Sequence, residues 1–168
     1  MKLKITKFKS VKSTNDEAIK LIRSDICFLG LVSTNSQTKG KGTMGKKWIS
    51  HKGNIFISIF FKVNLIKIKI ENYLVINANI IKKILNEYTK KIIKIKKPND
   101  LLIDGKKICG ILQEVIDHKK EKYLITGIGI NTKISPKNKN FKSTSLKNNS
   151  NKNINNKIII DKICKNYD

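Results

Sequence analysis

Three glycines in the stretch QTKGKGTMGKKW, namely Gly40, Gly42 and Gly45, form the pattern G-x-G-x-x-G with Lys41 and Lys46 beside them. Such a loop lets backbone N–H groups approach a carboxylate or phosphate closely, because no side chain intervenes. A dinucleotide-binding turn carries the same pattern, but it needs a preceding strand, a helix opening on the last glycine and an acidic residue roughly 20 positions on. The strand is there: Cys27–Thr34 is apolar and β-branched. The helix is not, because Ile55, Ile57, Ile59 and Phe61 alternate with the period of a strand. The loop therefore joins strand to strand. A protein kinase also sets a glycine loop between strands, yet H-R-D and D-F-G are missing and 168 residues are too few. Another nucleotide chemistry must be sought for this loop.

The elements that would position it follow from local signals. Ser13 opens STNDEAIKLI with Asp16 at the capping-box distance, which predicts a helix over about Thr14–Ser24. Leu74, Ala78, Ile81, Ile84, Leu85 and Tyr88 share one helical face, predicting a second helix near Asn72–Lys90. Asp104-Gly105 between apolar runs is a strong hairpin signal. Tyr123–Ile130 reads as the next strand, residues 132–152 as polar, asparagine-rich loop, and Asn155–Asn166 as a short closing helix. These elements predict an α+β fold: a mixed or antiparallel sheet with helices packed mainly on one face.

Length and composition narrow the function classes. A single domain of 168 residues buries enough apolar surface to fold without disulfides. Cys27, Cys109 and Cys164 are odd in number and lack metal-ligand spacing, and Cys109 and Cys164 read as core thiols. No stretch resembles a signal peptide or a span of ~20 apolar residues, so a soluble, cytoplasmic protein away from membranes is expected. The net charge of +24 invites a nucleic-acid reading. Its makeup argues against one. Arg23 is the sole arginine among 36 basic residues, and lysine, isoleucine and asparagine together fill 85 of 168 positions. Those residues have codons rich in A and T, whereas phosphate and base readout ordinarily recruits the bidentate arginine fork. The lysine excess is therefore read as a solvated surface, and sequence-specific DNA binding is not expected.

Four separated pieces fit one family in order and spacing: STN at Ser13–Asn15, the glycine loop, KKPND at Lys96–Asp100 followed by DGKKICGIL, and GIGIN at Gly127–Asn131. Over about residues 10–150 the sequence resembles the catalytic domain of biotin protein ligases. That resemblance implies the class II synthetase-like biotin/lipoate ligase fold. It also implies two reactions: biotin's carboxylate attacks ATP to give biotinyl-AMP and pyrophosphate, and a lysine of a biotin carboxyl carrier protein then attacks the activated carbonyl. Biotin, ATP and Mg2+ are the implied ligands, and a homodimer stays open. The chain then reads as one catalytic domain over residues 1–168, without the N-terminal DNA-binding domain or the small C-terminal β-barrel of larger relatives.

The same resemblance distributes roles. Ser13, Thr14, Asn15, Gln37, Gly40, Lys41, Gly42, Thr43, Lys107 and Gly110 match positions around biotin, and Lys41, Lys46, Trp48, Asn99 and Asn131 match positions around the adenylate. Lys107 is the matching catalytic cation, placed where a carboxylate and a phosphate, both anionic, must meet. Asp100 is matched either to magnesium or to orientation of the incoming amine. Each residue alone has a plainer reading. Ser13 caps a helix, Trp48 packs in the core, Asn99-Asp100 form a turn after Pro98, and Lys107 is one solvated lysine among 35. His51 and His118 lie outside the motifs and read as surface residues. The sequence also departs from the family: Lys41 and Lys46 stand for arginines, Thr43 for another, and Lys97 for a tryptophan. Lysine supplies charge without a fork. A lipoate-protein ligase on a related fold and a non-catalytic basic nucleic-acid-binding module are the alternative readings.

Overall fold

The computed structural model describes residues 3–65, 68–137 and 141–167. Its elements run β1 Lys4–Phe8, α1 Thr14–Arg23, β2 Gly30–Thr34, β3 Ile55–Val63, α2 Ile70–Asn86, β4 Ile93–Lys96, β5 Asp100–Ile103, β6 Lys106–His118, β7 Glu121–Ile130 and α3 Asn156–Cys164. The seven strands form one sheet in the order β1-β2-β3-β7-β6-β5-β4, with β1 and β2 parallel and the remaining neighbours antiparallel. The glycine loop joins β2 to β3, strand to strand as its flanks predict. Asp104 and Gly105 both adopt positive φ, 49° and 72°, as a two-residue hairpin turn requires.

The strands alternate between two different environments. Ile57 and Ile59 of β3 and Ile128 and Ile130 of β7 point to one face, where Ala78, Ile81 and Leu85 of α2 and Ile159 and Ile163 of α3 complete the main core. On the opposite face Val32, Phe60 and Ile125 pack against Ala18 and Ile22 of α1. Two of the three helices thus share one face and α1 holds the other, where it covers only part of the sheet.

Boundaries differ from the sequence reading where local competition decides them. β2 starts at Gly30 rather than Cys27, and the Cys27 thiol, still buried, lies 3.1 Å from the Leu29 carbonyl. The second helix spans 70–86 rather than 72–90; Tyr88 lies past its end yet remains buried. Asn155 caps α3, its side chain accepting from the N–H groups of Lys157 and Ile158. Residues 132–152 contain a 3-10 turn at Lys147–Asn149 and buried Thr144, Ser145 and Leu146, so this polar stretch packs; positions 138–140 of it lie outside the described residues. His118 is half-buried rather than on the surface, its ring bonded to Asp25 at 2.9 Å. Among the described residues no helix is long and apolar enough to cross a membrane.

Candidate functional site

The uncovered part of the α1 face is a cleft with a floor of glycine. Gly110 of β6 pairs with Gly129 of β7, and Gly127 lies two residues along the same face. A Cβ on Gly129 would sit 2.5 Å from the Trp48 ring, and one on Gly110 would sit 2.7 Å from it. One on Gly127 would overlap the Asn15 amide. Any larger residue in these places would fill the cleft or displace its walls.

An inner cavity, whose space of about 450 Å3 includes some open solvent, lies over this floor, lined by Ser13, Thr14 and Asn15 at the start of α1, by Gln37, Lys41, Gly42 and Thr43 of the loop, and by Trp48, Asn99, Lys107 and Gly110. A larger trough of about 1840 Å3, open to solvent, continues outward past Lys46, Asp100, Asn131 and Lys107. Eleven of the fifteen sequence-derived residues therefore meet at the inner cavity and three more at the trough. Gly40 lines neither. It is buried behind the cavity, where a Cβ would meet the Trp48 carbonyl at 2.6 Å.

The inner wall is a connected polar network. Thr14 donates its N–H to Gln37 Oε1 at 2.9 Å, and Gln37 Nε2 donates to Ser50. The buried Ser58 hydroxyl on β3 reaches both Thr14 Oγ1, at 2.7 Å, and Asn15 Oδ1, at 2.5 Å. Asn15 Nδ2 donates to Glu114 at 2.6 Å, which fixes the orientation of that amide. Ser13 occupies the N-cap position with extended backbone, but its side chain makes no capping bond. The expected capping box is absent because Asp16 is drawn instead to Lys41. Ser13 is left on the cavity wall, a position that a pure cap would not need.

At the junction of cavity and trough stands Lys107, and the backbone explains why. Strict alternation from Gly110 would turn Lys107 toward the main core, together with Cys109 and Ile111. A β-bulge intervenes: Leu101 pairs with Cys109 but Leu102 pairs with Lys107. The bulge reverses the alternation, buries Ile108 in the core and delivers Lys107 to the cleft. There its Nζ lies 2.7 Å from Asp100 Oδ1 and within 5.2 and 5.9 Å of the Trp48 and Phe141 ring centres. The buried Asp100 oxygen has no aligned hydrogen bond, so the contact is one of charge. Burial pushes the neighbouring Cys109 thiol far above its ordinary range, which keeps it neutral and inert.

Magnesium ordinarily takes one or two protein carboxylates and completes its shell with phosphate oxygens and water. Asp100 is the one carboxylate lining the cavity and the trough among the described residues, and no cluster of three or more metal-ligating residues occurs among them. That donor set fits an ion carried largely by a nucleotide rather than one caged by protein. The sequence reading passed over Ser58, Glu114 and Phe141, and it used Gly127 and Gly129 only as part of the GIGIN motif, with no role of their own. The two glycines were signalled by their alternate spacing in an otherwise β-branched strand. Phe141, a lone aromatic in a polar stretch, was a signal too; Ser58 and Glu114 had none.

A family model described as the Biotin/lipoate A/B protein ligase family matches residues 7–131. The chain belongs to this family. It is 31% identical over 128 residues to the bifunctional ligase/repressor BirA of Bacillus subtilis (strain 168), an alignment covering 75% of this chain and 39% of that protein. Over 97 residues it is 27% identical to BirA of Escherichia coli (strain K12), covering 56% and 30%. It thus spans about two fifths of the length of the curated relatives it matches, or less. Among solved structures, the biotin protein ligase from Aquifex aeolicus in complex with biotin and ATP is similar at a TM-score of 0.78 and 27% identity, covering 96% of this chain and 67% of that one. The Leishmania major biotin protein ligase in complex with biotinyl-5-AMP has the same TM-score at 23% identity, covering 96% and 75%, a likeness of fold. The mixed seven-stranded sheet with three helices is the biotin protein ligase fold.

Proposed function

We propose that the chain is the catalytic domain of an ATP-dependent biotin protein ligase. The observation that carries this reading is the joining of a small polar-walled cavity to a wider open trough, with a bulge-delivered lysine where the two meet. Ser13, Thr14 and Gln37 suit the polar head of biotin, the glycine floor and Trp48 suit its flat apolar ring, and Lys107 stands where its carboxylate would emerge. A carboxylate oxygen attacks the α-phosphorus of ATP, the bond to pyrophosphate breaks, and Lys107 steadies the negative charge that gathers there. Lys46, Asn99 and Asn131 suit the phosphate and ribose end. Asp100 is the residue that would hold magnesium, whose part is to neutralise phosphate charge. In the second step a lysine amine of a biotin carboxyl carrier protein attacks the mixed anhydride, AMP leaves with the electron pair and the amine loses a proton. In the other role matched to it, Asp100 orients that amine once pyrophosphate and its magnesium have left.

Mass measurement of a biotin carboxyl carrier domain after incubation with the chain, ATP, magnesium and biotin tests the proposal. A single biotinyl group on one lysine is expected; an unmodified carrier with biotinyl-AMP formed would remove the transfer step. Lipoate remains the second reading, because the family spans both acids. We further propose a cytoplasmic setting and no sequence-specific DNA binding: footprinting of candidate operators at ~0.15 M salt, where the Debye length is about 8 Å, is expected to stay blank.

A further inference from the structure

The glycine loop is bonded mostly to itself. Gly42 N–H donates to the Lys46 carbonyl, Lys46 N–H to Thr43 and Trp48 N–H to Gly40. Among the described residues of the loop from Gly40 to Lys47, Lys41 alone holds an ion pair. Its ammonium lies 2.5 Å from Asp16 Oδ1 on α1 and 4.0 Å from Glu114 Oε1 on β6. The other oxygen of Glu114 takes the Asn15 amide, whose own oxygen meets the Ser58 hydroxyl. One carboxylate on the floor strand therefore grips two walls of the inner cavity at once, the loop through Lys41 and the helix through Asn15. The hydrogen bond that Lys41 donates to Asp16, and after it the charge of Glu114, raises the pKa of the ammonium against the cost of its partial burial.

This geometry turns Lys41 away from the task its position in the loop suggests. An ammonium bonded to Asp16 and 4.0 Å from Glu114 offers a ligand's phosphate a charge that is partly neutralised already. We propose that Asp16 and Glu114 are positioning residues that latch the glycine loop through Lys41 and, through Asn15, fix the adjoining helix wall. Together they set how long a small carboxylic acid stays in the inner cavity. Identification of that acid as biotin rests on the function proposed above; the latch itself does not.

Two measurements separate the claims. In the ligand-free chain, hydrogen exchange of the amides from Gly40 to Lys47 needs no ligand. Asp16→Asn and Glu114→Gln are expected to speed it about two- to fivefold, the scale of partly exposed ion pairs. The charge-conserving Asp16→Glu should recover most of the protection. The difference should narrow near 1 M salt, where screening acts within about 3 Å, and more for Glu114→Gln, whose pair spans 4.0 Å, than for Asp16→Asn, whose pair spans 2.5 Å. Exchange in both variants equal to the parent's at low salt would overturn the latch, whatever the ligand. Next, biotin dissociation is followed by the fluorescence of Trp48, the sole tryptophan. Both variants should lose biotin about two- to fivefold faster, with the KM for ATP near the parent value. Glu114→Ala, which also abandons Asn15, should lose it about tenfold faster. Tighter ATP binding in Asp16→Asn and Glu114→Gln would overturn the proposal, because it would mean that the freed ammonium serves phosphate. No biotin binding by the parent chain would sink the ligand identity alone and leave the exchange experiment to decide the latch.

Discussion

The two faces of the central sheet are built from the same strands by opposite rules. On β3, Ile57 and Ile59 face α2 and α3, while Ser58 between them faces the cleft. On β7, Ile128 and Ile130 face the core and Gly127 and Gly129 form the cleft floor. One face is filled with branched side chains to the density of a solid interior. The other is packed only where α1 covers Val32, Phe60 and Ile125; beyond the helix it is left shallow, its side chains small or hydrogen-bonded. Stability and chemistry thus alternate residue by residue along one strand, and neighbouring substitutions should separate them.

The largest effect is expected at Lys107. Its removal takes away the fixed cation at the junction without opening a core cavity, so Lys107→Ala should lower adenylate formation by roughly 10^2–10^3-fold. Thermal unfolding should stay within a few degrees of the parent. Adenylate synthesis near the parent rate would take Lys107 out of the mechanism.

A sharper division comes from adjacent residues. Ile57→Ala, on the packed face, should cost about 2–5 kcal/mol, a fall of roughly 5–15 °C in Tm for a domain of this size. The remaining folded molecules should keep the parent KM for biotin. Ser58→Ala should do the reverse, with about 1 kcal/mol of stability lost and a KM for biotin raised several-fold because Thr14 and Asn15 lose their shared hydroxyl. If both substitutions move both quantities alike, the two faces are not independent.

A smaller effect is expected in the loop. Thr43 stands where the family usually has arginine, and it lacks the charge and length to hold a closed lid over a reactive anhydride. Thr43→Arg should slow escape of biotinyl-AMP several-fold when no carrier is present. Equal escape times would mean that the lid is held elsewhere, with Lys41, Lys46 and Trp48 the next residues to vary.

The smallest effect marks the far end of the α1 face. Hydrogen bonds from His118 and then Lys119 hold the Asp25 carboxyl below its usual range. A carboxyl lowered in the folded chain contributes stability that is present above its ordinary value, near 4, and is lost as pH falls through the lowered one. Asp25→Asn keeps the positive φ of 57° tolerable and should flatten the acid limb of a stability profile. Its kcat at neutral pH should match the parent's. A changed kcat would extend the site to this end.

How much of this was legible in the sequence depended on whether the signal was local. Asp104-Gly105, the alternating strands and the α1 helix rest on short-range rules, and each formed close to where those rules put it. β1 and β4 were missed because KITKF and IKIK sit among lysines that look like any solvated run; pairing with β2 and β5 makes them strands. The capping box at Ser13 did not form, and the Asp16 side chain pairs with distant Lys41 instead. Lys107 shows the limit most clearly. Period-two alternation alone assigns it to the core side, and only the bulge beside Leu101, a product of tertiary pairing, places it in the cleft. The motif order found that residue; no local rule could have oriented it.

If this cleft joins biotin to AMP, biotin-dependent exchange of labelled pyrophosphate into ATP reads that step without any carrier. Exchange should require biotin and magnesium, fail with lipoate in place of biotin, and disappear in Lys107→Ala. Exchange driven by lipoate instead of biotin, or none with either acid by a folded chain, would contradict the proposed function.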